Sequence, residues 1–82
     1  MGSIPNLIRT IVEEIVDHPE QIQINEVKSS QVTVIELNIA KEDNGLLIGK
    51  KGKVITSLRN IVDAAIGKQG MAGRIYFQII GL

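Results

Sequence analysis

Apolar residues recur at steps of three and four near the start of the chain, at Ile4, Leu7, Ile8, Ile11, Val12, Ile15 and Val16. A stripe with that spacing predicts an amphipathic helix. Ser3 stands where a side-chain oxygen can cap the first turn. Pro5 is tolerated in that turn because its missing N–H has no intrahelical bond to lose. Pro19 disfavours helical angles at His18, so the helix is expected to end near Asp17. The period then shortens to two. Ile22 and Ile24 alternate with polar residues on the way to Val27, and Ser29-Ser30-Gln31 supplies a turn. Within Val32–Ala40, Ile35, Leu37 and Ile39 alternate with Glu36 and Asn38. Two strands on so short a link predict an antiparallel hairpin. Glu42, Asp43 and Asn44 can cap a short helical turn through Leu47. Gly49-Lys50-Lys51-Gly52 interrupts the pattern, and a helical stripe resumes at Val54, Ile55, Leu58, Ile61, Val62, Ala65 and Ile66. Gly67, Gly70 and Gly73 are expected to break this helix. Ile75, Phe77 and Ile79, alternating with Tyr76 and Gln78, make a last strand.

The order helix, strand, strand, short helix, helix, strand predicts an α+β fold in which helices cover one face of a three-stranded sheet. At 82 residues the chain is expected to be one domain spanning residues 1–82. Residues 1–3 read as a cloning remnant or a disordered start, and Gly2 is given no role. The long helix carries more apolar surface than one sheet contact needs. Ile55, Leu58, Val62 and Ile66 share the arc that should face the sheet. Val54, Ile61 and Ala65 lie to one side of it, with Ala64 further round. That second strip predicts a two-fold dimer contact through Val54, Ile61, Ala64 and Ala65, unless the first helix covers it within one chain.

Composition narrows the chemistry. There are no cysteines, which removes disulfides and thiolate metal sites. Tyr76 and Phe77 are the only aromatic residues, too few to stack several bases, so base selectivity is expected to be low and to come from groove shape and hydrogen bonds. Nine basic and nine acidic residues cancel, but unevenly along the chain. Residues 1–43 hold three basic and eight acidic side chains, and residues 44–82 hold six basic ones against Asp63 alone. Such halves suit either one anion-binding face or mutual attraction between the two ends. No apolar run reaches the roughly 20 residues of a membrane span and no signal peptide opens the chain, so a cytoplasmic protein is expected.

The informative segment is Leu47-Ile48-Gly49-Lys50-Lys51-Gly52-Lys53-Val54-Ile55. Glycines permit positive φ and let another backbone come close. Free N–H groups at Gly52 and Lys53 are expected to open the long helix, and Lys50, Lys51 and Lys53 add three cations, which together would cradle a sugar-phosphate backbone. The plainer possibility is a helix–turn–helix joint whose lysines only keep it soluble. A nucleotide-hydrolase P-loop is the weaker alternative, because neither the G-x-x-x-x-G-K spacing nor the following hydroxyl is present.

Ile48-Gly49-Lys50-Lys51-Gly52-Lys53-Val54-Ile55 resembles the KH signature, isoleucine-glycine-x-x-glycine-x-x-isoleucine, whose loop clamps the backbone of four nucleotides. The element order is similar to the type II KH arrangement. The acidic first helix, Asn25-Glu26-Val27, Val34-Ile35-Glu36-Leu37 and Glu42-Asp43 extend the resemblance over nearly the whole chain, to the KhpA family of small stand-alone bacterial KH proteins. Leu46 departs from it, standing where relatives often carry a basic residue just before the loop. The resemblance implies a non-catalytic protein that binds single-stranded RNA in the cytoplasm. It implies a homodimer, and pairing with a larger KhpB/Jag-type KH protein. A role as post-transcriptional regulator or RNA chaperone in cell elongation and division, cell shape and cell-wall biogenesis is implied too. No cofactor is expected. Gly49 and Gly52 would shape the loop, and Lys50, Lys51 and Lys53 would hold phosphates. Ile48 and Ile55 would anchor the loop to the core and border the groove for bases. Thr56 and Arg59, one and two turns on, could reach the nucleic-acid backbone, although Arg59 could equally pair with Asp63.

Nothing else in the chain suggests catalysis. His18 is the only histidine, with no second one as a metal partner, and its place at a helix end accounts for it. Glu13, Glu14, Asp17 and Glu20 read as a solvated helix surface, Ser29 and Ser30 as turn formers, and Tyr76 as a sheet-surface residue.

Overall fold

A computed structural model describes residues 3–81, so the reading of Met1 and Gly2 lies outside the described residues. Helix α1 spans Ile4–Glu13, and the Ser3 side chain accepts a hydrogen bond from the Asn6 N–H at 3.2 Å, as its position before the apolar stripe foretold. Strands β1 (Gln23–Lys28) and β2 (Thr33–Asn38) form the expected antiparallel hairpin, in which Ile24 faces Leu37 and Glu26 faces Ile35. The Ser29 N–H donates to the Val32 carbonyl at 2.9 Å, and its hydroxyl accepts from the Val32 N–H, closing the turn. A short helix, α2 (Asn44–Ile48), precedes the glycine–lysine segment. Helix α3 (Lys53–Lys68) and strand β3 (Ile75–Ile79) follow.

The sheet order is β1-β2-β3, with β3 parallel to β2. A parallel neighbour requires a crossover, and α2 with α3 provides it. Alternation along β2 turns Ile35 and Leu37 into the core beside Phe77 and Ile79 of β3, while Glu36 and Asn38 lie on the open face. The core closes Ile8 and Val12 of α1, Leu47 of α2, and Leu58, Val62 and Ile66 of α3 over those strand residues. The helices therefore cover one face of the sheet. The fold is α+β and KH-like, as the element order predicted.

Several boundaries differ from expectation. Helix α1 stops at Glu13, not near Asp17. The Glu14 and Ile15 N–H groups bond three residues back, to the Ile11 and Val12 carbonyls, so the helix tightens into a turn well before Pro19 can act. Short 3-10 turns form at Pro19–Gln21 and at Lys41–Asp43, so Glu42 and Asp43 lie in a turn of their own ahead of α2, and the Asp43 side chain makes no cap hydrogen bond to that helix. Strand β2 ends at Asn38 instead of Ala40. Gly67 remains inside α3. The chain turns only beyond Lys68, where Gly70 and Gly73 have φ of 72° and 80°.

Candidate nucleic-acid interface

Between α2 and α3 the chain makes one tight turn, and three of its four residues have positive φ. Gly49 has φ 73° and ψ 178°, Lys51 has φ 56° and ψ 27°, and Gly52 has φ 73° and ψ 16°. The two glycines are needed for different reasons. At Gly49 the angles belong to a region that side chains essentially never occupy, and a Cβ there would lie 2.7 Å from the Val54 Cβ and 3.0 Å from the Val54 nitrogen. At Gly52 there is room, since a Cβ would meet only the Ile55 Cγ2 at 4.0 Å, and only the left-handed backbone favours glycine. Lys51 is the one described non-glycine residue with positive φ. Holding an L-residue there costs roughly 1–2 kcal/mol. The local strain falls on a lysine at the tip of the turn.

This turn uses two of its backbone N–H groups internally. The Gly52 N–H donates to the Gly49 carbonyl at 3.2 Å and the Lys53 N–H to the Lys50 carbonyl. The expectation of free N–H groups at Gly52 and Lys53 is therefore overturned, because the 3-10 turn at Lys50–Gly52 uses both. What the turn presents is side-chain charge. Lys50, Lys51 and Lys53 are exposed, and among the described residues the only salt bridge is one between His18 and Asp43. The basic half of the chain is thus not consumed by attraction to the acidic half.

The other predicted residues fall into two groups. Leu47, fully buried, anchors α2 to the core. Ile48 does not, because it is 38% exposed, and with Leu46 it forms an apolar edge beside the loop. Ile55 is half-buried against the core. Thr56 is exposed on the wet face of α3. Arg59 is exposed too, with its guanidinium carbon 6.0 Å from the centroid of the Phe77 ring. On the opposite flank of α3, Val54 and Ile61 line an open, largely apolar groove of about 350 Å³ with Ile11 of α1 and Ile15 of the turn that follows it. Helix α1 lies along this flank without covering it, and Ile61 stays 47% exposed. Ala65 packs against the core instead, and Ala64 is exposed outside the groove lining.

Two features had gone unseen in the sequence. The first is the α1 wall of the groove. Its signal was present, because the first stripe contains two columns, Ile4-Ile8-Val12 buried and Leu7-Ile11-Ile15 only half-buried. The second is the tie beneath α2. Asp43, just before that helix, is 1% exposed; it accepts the His18 N–H at 2.9 Å and faces the His18 Nδ1 at 3.2 Å. The hydrogen bond to Asp43 raises the His18 pKa above its ordinary 6.5 despite the ring's partial burial, and the Asp43, Glu20 and Glu42 charges reinforce it. Burial pushes Asp43 up, but hydrogen bonds from the His18 ring and from the backbone N–H groups of His18 and Asp17 outweigh it and hold the carboxyl below 3.8. His18 therefore fastens the α1–β1 connection to the start of α2. On the other side of α2, the Asn44 side chain donates to the Gly81 carbonyl at 3.3 Å.

A helix–G-x-x-G–helix joint packed on a three-stranded sheet, with an added helix and strand before it, is the arrangement of a type II KH domain. Residues 5–79 match the family model described as KhpA/KhpB, KH domain, and the chain belongs to that family. It is 36% identical over 74 residues to the RNA-binding protein KhpA of Clostridium acetobutylicum, covering 90% of this chain and 96% of that one. It is 40% identical over 63 residues to the protein of the same name from Caldanaerobacter subterraneus subsp. tengcongensis, covering 77% and 84%. The Oceanobacillus iheyensis protein of that name matches at 36% over 74 residues, covering 90% and 96%. No solved structure matches the chain.

Proposed function

We propose that this protein binds single-stranded RNA at the Gly49–Gly52 loop and performs no catalysis. The observation that carries the reading is the set of three exposed lysines, none in a salt bridge among the described residues, on a turn whose backbone is held by Gly49 and Gly52. The relatives named RNA-binding protein KhpA support it. Lys50, Lys51 and Lys53 hold phosphates, and Leu46 and Ile48 border the bases. Thr56 is the weakest of the candidates, because it stands on the wet face of α3. The protein acts in the cytoplasm as a post-transcriptional regulator or RNA chaperone, with consequences for cell elongation and division, cell shape and cell-wall biogenesis. Among the described residues no helix is long and apolar enough to cross a membrane.

The test is salt. Two to four neutralised phosphates should give a plot of log K against log salt with a slope of about −1.5 to −3, since each phosphate on a single strand contributes roughly −0.7. Fluorescence anisotropy of a labelled oligonucleotide between low and physiological salt measures it. A flat response would remove the lysines from the mechanism.

The open groove between α1 and α3 supports the second part of the proposal, a homodimer through Val54 and Ile61 with Ile11 and Ile15. Ala64 and Ala65 belong at most to its margin. The same surface would serve an adaptor that pairs with a KhpB/Jag-type KH protein and binds RNA weakly by itself. Ile61→Asp places a charge on an exposed position of the groove, so it should yield a folded monomer, where the wild type sediments as a dimer at tens of micromolar. A monomeric wild type would sink the homodimer.

A further inference from the structure

The loop explains how a phosphate is held, and Leu46 and Ile48 border the bases, but none of these groups offers a flat surface on which a base can stack. The two flanks of α3 differ sharply in this respect. The α1 flank has Lys53 at its loop end as the only cation of its groove, the remaining lining is apolar apart from Ser57, and the stretch of chain that supplies Ile11 and Ile15 also carries the exposed carboxylates of Glu13, Glu14 and Asp17. Beyond Lys53 this lining offers a polyanion no further cation. The β3 flank carries Arg59, seven positions beyond Gly52 and so about 10 Å further along the helix axis. A strand fixed at the loop that continues along this flank brings a neighbouring base to Arg59.

Arg59 has a carboxylate within helical reach, Asp63 one turn on, yet among the described residues no ion pair joins them. The guanidinium lies over the half-buried ring of Phe77 instead, 6.0 Å from its centroid, within the range of a cation–π contact. Phe77 points to the helix side of the sheet. Tyr76 lies on the other face, with its hydroxyl donating to the Gly73 carbonyl at 3.2 Å. The helix side therefore has one aromatic ring, and its accessible extension is the guanidinium plane.

We infer that Arg59, seated on Phe77, is the base-stacking platform of the loop site and favours a purine at one position of the bound strand. This rests on the proposal that RNA binds at the Gly49–Gly52 loop. The guanidinium carbon lies 6.0 Å from the ring centroid and the Arg59 side chain is exposed, so the group that rests near the ring is also open to a base. Arginine planes stack unpaired bases in single-stranded RNA recognition. A purine overlaps that plane over a larger area than a pyrimidine does. Stacking tolerates every base, so the preference is several-fold and not absolute. Arg59 thereby becomes a specificity residue, where a phosphate contact alone would have made it interchangeable with lysine.

Arg59→Lys separates the two roles, because it keeps the charge and loses the plane. The probe is a labelled oligoadenylate with a single cytidine moved through successive positions, titrated by anisotropy. The wild type should show one position where the cytidine weakens binding several-fold. In Arg59→Lys the parent affinity should fall about tenfold, that position should become level with the others, and the salt slope should stay within about 0.7 of the wild-type value. Phe77→Leu, which keeps apolar volume and removes the ring, should level the same position. A level wild-type profile would overturn the inference, and so would an Arg59→Lys protein with unchanged affinity and profile. If Arg59→Lys is silent while Lys50→Asp with Lys51→Asp removes binding, the loop site stands and the platform alone is wrong. If the wild type binds no RNA, both fall.

Discussion

Exchanging Lys50 and Lys51 together for aspartate should weaken single-stranded RNA binding by about a hundredfold or more and leave the domain folded. A hydrogen bond to a charged group contributes about 1.5–3 kcal/mol, so losing two accounts for that factor before the repulsion from two new carboxylates is added. The fold should survive for a local reason. Both side chains are exposed, neither is in a salt bridge among the described residues, and no core residue lies between Gly49 and Gly52. Lys51 has φ 56° and ψ 27°, a region where aspartate is more at home than lysine. Stability should therefore shift by no more than about 0.5 kcal/mol, as for most surface changes. Anisotropy beside a thermal melt reads both quantities. Retained affinity in a folded double variant would take the loop out of the binding mechanism.

Gly49→Ala should be the most damaging single substitution in the loop, and clearly worse than Gly52→Ala. At Gly49 a methyl group must enter a backbone region closed to side chains and also displace Val54, whose Cβ would be 2.7 Å away. Strain of roughly 1–3 kcal/mol adds to overpacking of about the same size, so a loss of about 3 kcal/mol or more is expected. At Gly52 the left-handed backbone is the only obstacle, since the nearest atom outside its chain neighbours is 4.0 Å from the added carbon. The loss there should be about 1–2 kcal/mol. In a domain of this size each kcal/mol moves the Tm by roughly 4–8 °C, so urea or thermal denaturation separates the two variants easily. Equal losses would mean that the contact between Gly49 and Val54 is relieved by movement of α3.

The difference between these glycines shows where sequence legibility stopped. Two glycines bracketing two lysines between helical stripes announced a bend, and the bend is there. That Gly49 lies against Val54 depends on the angle at which α3 leaves the turn, which no pattern of residue types encodes. The lysines were legible as charge. Their backbone was not, and the N–H groups expected to be free at Gly52 and Lys53 are used by the 3-10 turn itself. Ile48 looked like a core residue because it is apolar and borders the motif, but a five-residue helix buries only one side, and that side belongs to Leu47.

What the chain determines by itself is what neighbouring residues decide among themselves. The Ser3 cap, the apolar columns of α1 and α3, the Ser29 turn and the alternation along β2 and β3 all rest on interactions between residues a few positions apart, so composition and spacing suffice to read them. The tertiary structure alone decided that β3 joins β2 in parallel, that α1 leaves the Ile11–Ile61 groove open, that Arg59 lies over Phe77 and not beside Asp63, and that His18 reaches Asp43 across 25 positions. Each of these pairs groups far apart in sequence, brought together only when the core closes. Local periodicity fixes which face of an element is apolar, but not which of several apolar faces it will meet.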